Sequence, residues 1–483
     1  MSRLSWLTAS IVIVALFFSA AAHAQDAAVT RPNLIAIVTD DQGFWSIGAY
    51  GSKDAKTPIL DRFAAEGALF TNAFCATPVC SPSRASFLTG LYGTQVGITD
   101  WINMNESGQG IGLPPETITW PEVLKQNGYT TALVGKWHLG RLPQHHPTKH
   151  GYDHFWGMLN GGTSQLMKPL LEVNGETKRL NGYVGDLLTD ESIRWIEANR
   201  DKPLALSMHF REPHLPYGPV PAEDSAPFKD ADPTLPDAEH LNPEFTKDLH
   251  RKYLASVHSI DRNLGRLFAK LDELKLTDNT IVLFTSDNGY NVGHHTLHGK
   301  GNGNWIGGGV HGPKRPNMYD SSVRLPLIVR WPGVVKPGTR IEQHVSNVDT
   351  FATVLGMLSV PQPKDVKQNG RDFSPLLRGK PVKDWPTDVF AQYDLHNSGI
   401  AYMRMIRTPQ WKLVRHHMTN GDNQLFDLTS DPLEKRNRYY DKKVQDVRDE
   451  LQQRLTKWQE SIDDPILKLD ANRPIEPGPP TGE

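Results

Sequence analysis

Two acidic pairs stand where a cation could be held: Asp40-Asp41 after the run Asn33 to Thr39, and Asp287-Asn288 after Thr280 to Thr285. They offer oxygen ligands alone, three of them anionic, a set that suits a hard cation such as Ca²⁺ or Mg²⁺ and not zinc. Each pair taken singly also reads as a turn or helix cap. Cys80 heads Cys80-Ser81-Pro82-Ser83-Arg84 and a helical pattern, so it stands at a helix N-terminus, where backbone N–H groups and the dipole favour an anion. Arg84 lies one helical turn on, within reach of groups around position 80. The bland alternative for Cys80 is a small buried hydrophobe. Lys136 and His138, two apart in Gly-Lys-Trp-His-Leu-Gly, share one side of an extended segment, unless that string is a loop with a solvated lysine. His214, in Glu-Pro-His-Leu-Pro, is a further imidazole candidate.

The elements that must position these groups are short apolar runs followed at once by polar residues. They are Asn33 to Thr39, Thr131 to Val134, Leu204 to Phe210 and Thr280 to Thr285. Continuous apolar strands alternating with helical stretches predict an α/β fold with a mostly parallel sheet covered on both faces, its ligands bound outside the carboxyl ends of the strands. All four loaded ends can then meet at one edge. Helices are predicted over Pro58 to Glu66, Ser83 to Leu91, Pro121 to Asn127 and Gly185 to Asn199. The clearest covers Phe245 to Leu274, whose Tyr253, Val257, Ile260, Leu264, Leu267 and Leu271 form one apolar stripe, read as core packing. The proline-rich, acidic stretch between Pro213 and Pro243 reads as an irregular loop over the strand ends.

Composition bounds the rest. The 483-residue chain has 38% hydrophobic and 22% charged residues and a net charge of −2, enough for a large core and without a footprint for nucleic acid. Arg3, the apolar Ile11 to Phe18 and Ala22-His23-Ala24 read as a signal peptide over residues 1–24, implying export to a periplasmic or extracellular space. The apolar stretch is too short to span a bilayer, and no later one does. A catalytic domain is expected over 25–370 and a smaller α+β subdomain with an antiparallel sheet over 371–471. In the latter, Trp411 to Val414 and Gln424 to Leu428 form a hairpin, followed by a helix near Val444 to Ile462. A Pro/Gly-rich tail covers 472–483. A Cys75–Cys80 disulfide is the structural alternative for the two cysteines of the chain.

Cys80-Ser81-Pro82-Ser83-Arg84 resembles the C-x-P-S-R signature of the type I sulfatases, in which the cysteine is oxidised to formylglycine. Gly135 to Gly140 resembles a second signature of that family, and Pro213-His214-Leu215-Pro216 its PH-x-P element. Met318 to Pro326 and Leu425 to Leu428 with Asp431 to Glu434 follow in the expected order, so the resemblance covers nearly the whole mature chain. It implies the alkaline-phosphatase-like α/β/α sandwich and a formylglycine-generating enzyme as maturation partner. The implied metal site is Asp40, Asp41, Asp287 and Asn288 with formylglycine 80, holding Ca²⁺ ahead of Mg²⁺. The aldehyde hydrate would attack sulfur, with Arg84 holding the diol and carboxylates. Lys136 would bind sulfate oxygens, His138 would take the proton in the elimination step, and His214 would contact the leaving group.

A lysine on sulfate and leaving oxygen is also implied, with Lys300 ahead of Lys314. The rivalry arises because the glycine-rich Asn302 to Pro316 departs from the shorter family pattern. His294, His295 and His298 are expected as polar groups of the pocket. Trp101, Trp137 and Trp305 are candidate stacking groups, which makes a sulfated carbohydrate the leading substrate class. An arylsulfatase, a phosphoesterase of the same superfold, or a noncatalytic sulfated-glycan-binding protein are the alternatives.

Overall fold

The apolar runs form a central sheet, and the side chains of its strands feed two separate cores. The structure is a computed structural model that describes residues 31–163, 165–418 and 421–470. The expected leader over 1–24 and the tail from Asn472 lie outside them. In chain order the strands are β1 (Asn33–Asp40), β2 (Ala68–Phe74), β3 (Thr130–Lys136), β4 (His154–Met158), β5 (Leu170–Val173), β6 (Glu176–Arg179), β7 (Leu204–Pro213) and β8 (Thr280–Ser286). Three short strands follow, β9 (Asn291–Val292), β10 (Leu297–Gly299) and β11 (Asn304–Trp305), then β12 (Arg324–Arg330), β13 (Thr339–Ile341) and β14 (Val345–Ser346). The main sheet runs β13-β2-β12-β8-β1-β7-β3-β4-β5-β6, with β14 also on β2.

The four strands with loaded ends are neighbours. β8, β1, β7 and β3 lie side by side, all parallel, so their carboxyl ends share one edge. β12 runs antiparallel between β8 and β2.

Alternation along β1 divides the cores. Leu34, Ala36 and Val38 face helices Cys80–Thr89, Trp120–Gln126 and Thr350–Leu358. Ile35 and Ile37 face helices Pro58–Glu66, Val184–Asn199 and Pro243–Glu273. Each buried Leu or Ile contributes about 1.5–3 kcal/mol, so both faces stay covered. The longest helix starts at Pro243, two residues before the predicted start, because Asn242 caps it by accepting the Phe245 N–H at 3.1 Å and proline suits its first position. Its stripe divides: Ile260, Leu264, Leu267 and Leu271 pack on the sheet, while Tyr253 and Val257 join a cluster with Tyr217 and Tyr290 at the strand ends. Helix Cys80–Thr89 begins three residues before its predicted start, with Cys80 as its first residue.

A second, antiparallel sheet follows: β15 (Val389–Leu395), β16 (Ala401–Arg407), β17 (Trp411–His417) and β18 (Gln424–Asp427), paired in that order. The predicted hairpin is β17–β18; β15 and β16 carried polar residues that hid their alternation. Helix Gln445–Ser461 packs Leu451, Leu455 and Trp458 against this sheet's Ile406, Leu413 and Leu425.

Candidate active site

β1 delivers Asp40 at its last position, and the next residue turns back. Asp41 has φ 68°, a left-handed conformation that Asp tolerates and that brings both carboxylates into one space. The end of β8 is stitched alongside: Asp287 N–H donates to Thr39 O at 3.0 Å, and Asp41 N–H donates to Asp287 Oδ1 at 3.1 Å. Asn288 Nδ2 donates to Asp41 Oδ1 at 2.8 Å. All four side chains are buried.

Two of their acceptors, Asp40 Oδ1 and Asn288 Oδ1, are buried without a hydrogen-bond partner among the described residues. Ligand atoms of Asp40, Cys80 and Asp287 lie within 4.8 Å of one another, as do those of Asp40, Asp41 and His214. Orphaned buried acceptors beside crowded carboxylates are what a hard divalent cation satisfies, so the residues present fit one. Burial and the Asp40 charge push the Asp287 carboxyl up. Burial acts in the same sense on Asp40, but Lys136, His214, Arg84 and Lys300 overcome it and hold that group well below the usual carboxylate range.

Cations ring this floor. Lys136, buried at the end of β3, donates Nζ to Asp40 Oδ2. Lys300 Nζ lies 2.6 Å from Asp41 Oδ1 and 3.4 Å from Cys80 Sγ. Arg84 reaches Asp287 Oδ2 from both Nε, at 3.0 Å, and its terminal Nη2, at 2.9 Å. Cys80 is 3% exposed and burial raises its thiol pKa, so the unmodified side chain is a protonated thiol. Cys75 is also a buried free thiol.

His138 and His214 flank the same space. β3 ends at Lys136, and His138 has φ 60°, so the pair faces the site through a turn and not through strand alternation. Burial and Lys136 hold His138 well below its usual range; Nε2–H donates to Ile102 O at 3.0 Å and Nδ1 is left without a hydrogen-bond partner. His214 donates Nδ1–H to Leu215 O at 2.7 Å and turns Nε2 to 3.7 Å from Asp41 Oδ2. Desolvation draws its pKa down to about 4, against the pull of Asp41.

Above the floor opens a cleft of about 510 Å³ lined by Asp41, Cys80, His138, His214, Lys300 and Lys314 among others, a volume that suits a sugar. His298 lines it too, bonded to Tyr217 Oη at 2.6 Å. His294 and His295 do not line it. His295 sits at φ 52° in a kinked turn, which sends its ring onto Tyr319 and that of His294 onto Trp45. Of the three tryptophans, Trp101 lines the cleft. Trp137 is 1% exposed, donates Nε1–H to His145 O at 2.9 Å and packs on His150, so it is core and cannot stack on a ligand in the cleft. Trp305 borders a neighbouring groove with Arg315 and Tyr319.

Three supporting residues escaped the sequence analysis. His209, in β7, contacts Lys136 O at 3.1 Å and Arg84 Nη1 at 3.3 Å; a histidine inside an apolar strand was the available signal. Tyr253 Oη donates to Asp41 O at 2.8 Å and accepts the Gly43 N–H at 2.9 Å, a role its place in the apolar stripe concealed. Asn317 Nδ2 donates to Lys300 O at 3.0 Å, and its Oδ1 accepts from Ser322 Oγ at 2.7 Å; nothing in the sequence marked it.

A family model described as Sulfatase matches residues 32–360, and one described as N-sulphoglucosamine sulphohydrolase, C-terminal, matches residues 311–461. The chain is 29% identical to steryl-sulfatase of Rattus norvegicus over 84% of each chain. It is 27% identical to N-acetylglucosamine-6-O-sulfatase of Bacteroides thetaiotaomicron over 95% of this chain and 91% of that one. A solved structure in complex with its substrate D-glucosamine-2-N,6-O-disulfate superposes with TM-score 0.78 at 24% identity, covering 90% of this chain and 99% of that one, a likeness of fold.

Proposed function

The chain belongs to the sulfatase family, with the alkaline-phosphatase-like fold, and hydrolyses sulfate esters; from that premise we propose that it desulfates carbohydrates, using formylglycine formed from Cys80 and a bound Ca²⁺. The observation that carries this reading is the Cys80 side chain at the first turn of its helix, 3.4 Å from Lys300 Nζ, on the floor of the sugar-sized cleft. Formylglycine at position 80 would supply a nucleophilic hydroxyl for sulfur, and a cation held by Asp40, Asp41, Asp287 and Asn288 would supply Lewis-acid charge beside it.

The chain's own residues do the rest. Asp40, Asp41, Asp287 and Asn288 would hold the cation, and Arg84 fixes Asp287. Lys136 and Lys300 neutralise sulfuryl oxygens in a desolvated floor, where such charge is most effective. The helix N-terminus at residue 80 adds backbone N–H groups aimed at the same charge. His138, with its Nδ1 lone pair free, receives a proton at that atom. His214 Nε2, left without a proton because Nδ1–H is given to Leu215 O, faces the leaving-group side and would accept from a hydroxyl there, while Lys300, held protonated by Asp41, would donate to the departing oxygen. The neutral state of His214 at pH 7 follows from desolvation.

The carbohydrate assignment draws on the cleft's size and on Trp101 in its wall. It draws also on relatives named N-acetylglucosamine-6-O-sulfatase and N-acetylgalactosamine-6-sulfatase. Export to the periplasm or beyond and maturation by a formylglycine-generating enzyme complete the reading; no described helix is long and apolar enough to cross a membrane. The test is ion chromatography of anions released by protein co-expressed with that enzyme, from sulfated saccharides, an aryl sulfate and a phosphate monoester. Sulfate from saccharides, absent with Cys80→Ala, is expected. Release from the aryl sulfate alone makes it an arylsulfatase, and phosphate alone makes it a phosphoesterase of the same superfold.

A further inference from the structure

The glycine-rich segment Asn302 to Pro316, where this chain departs from the shorter pattern, is unused by the chemistry above. It is an ordered hairpin. Trp305 N–H donates to Pro313 O at 3.0 Å, Gly312 N–H to Trp305 O at 2.7 Å, and Arg315 N–H to Gly303 O at 2.8 Å. Asn304 Nδ2 adds a bond to Gly312 O at 2.9 Å. A contact of 2.9 Å between His311 Nε2 and His298 Nδ1 ties the hairpin to the cleft wall. So anchored, it presents Lys314 to the cleft on the Lys300 side.

Lys314 differs from the other two lysines there. Lys136 is seated on Asp40 and Lys300 on Asp41, whereas Lys314 is half-buried with no ion pair to a carboxylate among the described residues. Desolvation, with Lys300 as a positive neighbour, lowers its pKa. A partly desolvated ammonium without a counter-ion is a cost that a bound anion removes. Lys136 and Lys300 already serve the sulfate at position 80, so the anion for Lys314 is a different one.

We propose that Lys314, presented by the 302–316 hairpin, is a specificity-determining residue that binds a second anionic group, a sulfate or carboxylate on the same sugar or its neighbour, so that the preferred substrate is a polyanionic saccharide. This rests on the carbohydrate sulfatase reading. The site then selects against singly sulfated sugars by leaving Lys314 unpaired.

The test compares matured wild-type, Lys314→Gln and Lys314→Arg enzymes on three substrates: a hexosamine monosulfate, the same hexosamine with a second sulfate, and that monosulfate joined to a uronic acid. For wild type, kcat/KM is expected to be higher on one or both of the dianionic substrates. Lys314→Gln should cut that preference by roughly 10- to 100-fold, mainly through KM, as loss of a charge-assisted hydrogen bond does. Lys314→Arg should keep most of it. The arm that loses its preference identifies the anion as sulfate or carboxylate. An equal fall on all three substrates, or an unchanged preference, would overturn the proposal. Calorimetric titration of the same saccharides into Cys80→Ala protein, with and without Lys314→Gln, reads the preference independently of turnover. If wild type releases no sulfate from any of them the carbohydrate reading fails, and the binding ratio still decides the role of Lys314.

Discussion

Arg84 grips a single oxygen of Asp287, Oδ2, with two of its nitrogens, at 3.0 and 2.9 Å, and leaves Oδ1 to the Asp41 N–H. One arginine on the helix that begins at Cys80 thereby fixes the position of a carboxylate at the end of β8, and the proposed nucleophile and cation site are joined through it. Arg84→Lys keeps the charge and loses the fork. Sulfate release is expected to fall at least about 100-fold, with weaker cation binding, since supporting contacts of a metal ligand are worth about 10- to 100-fold in affinity or activity. Wild-type kcat in the lysine variant would remove Arg84 from the machinery.

The cation should be hard and should stabilise the fold. After dialysis against a chelator, adding Ca²⁺ is expected to raise Tm, by the equivalent of about 2.7 kcal/mol at a hundredfold excess over Kd. Asp40→Asn should lose most of that response. Stabilisation by Zn²⁺ and none by Ca²⁺ would contradict the oxygen-only ligand set.

Acid should weaken the protein through its buried imidazoles. His150, behind Trp137, has its pKa drawn down to about 4 by burial and by His145. With the folded value below the unfolded one, its contribution is complete above about pH 6.5 and is lost as pH falls towards 4, amounting to about 3 kcal/mol. Urea midpoints measured between pH 7 and 4 should therefore fall, and His150→Phe should flatten part of the slope. An identical slope in the variant would mean that other groups carry it.

The C-terminal sheet is pinned to the catalytic side by Lys412 of β17, which is buried and donates Nζ to Asp320, to Glu434 and, at 3.0 Å, to Met318 O. Lys412→Met leaves Glu434 buried without that cation and should cost about 3–5 kcal/mol. Because Met318 adjoins Asn317, which holds the Lys300 carbonyl, kcat should fall as well. An unchanged Tm would show that the network contributes nothing.

The sequence by itself determined the layered α/β fold, the four strand ends and most groups at them. Those signals are local: uninterrupted apolar runs, an arginine one helical turn beyond Cys80, acidic pairs at strand termini. Tertiary structure decided what depends on the far side of a contact. That Lys300 lies at Cys80, and Lys314 on the cleft rim, follows from how the 302–316 hairpin closes on His298, with 220 residues of separation between Lys300 and Cys80. Tyr253 reads as one more apolar position until helix Pro243–Glu273 is docked and its hydroxyl meets Asp41. Trp137 reads as a stacking group until the core closes over it. A side chain's periodicity fixes which face of its element it occupies; only packing fixes what that face meets, because the partners come from segments whose spacing in the sequence carries no trace of their distance in space.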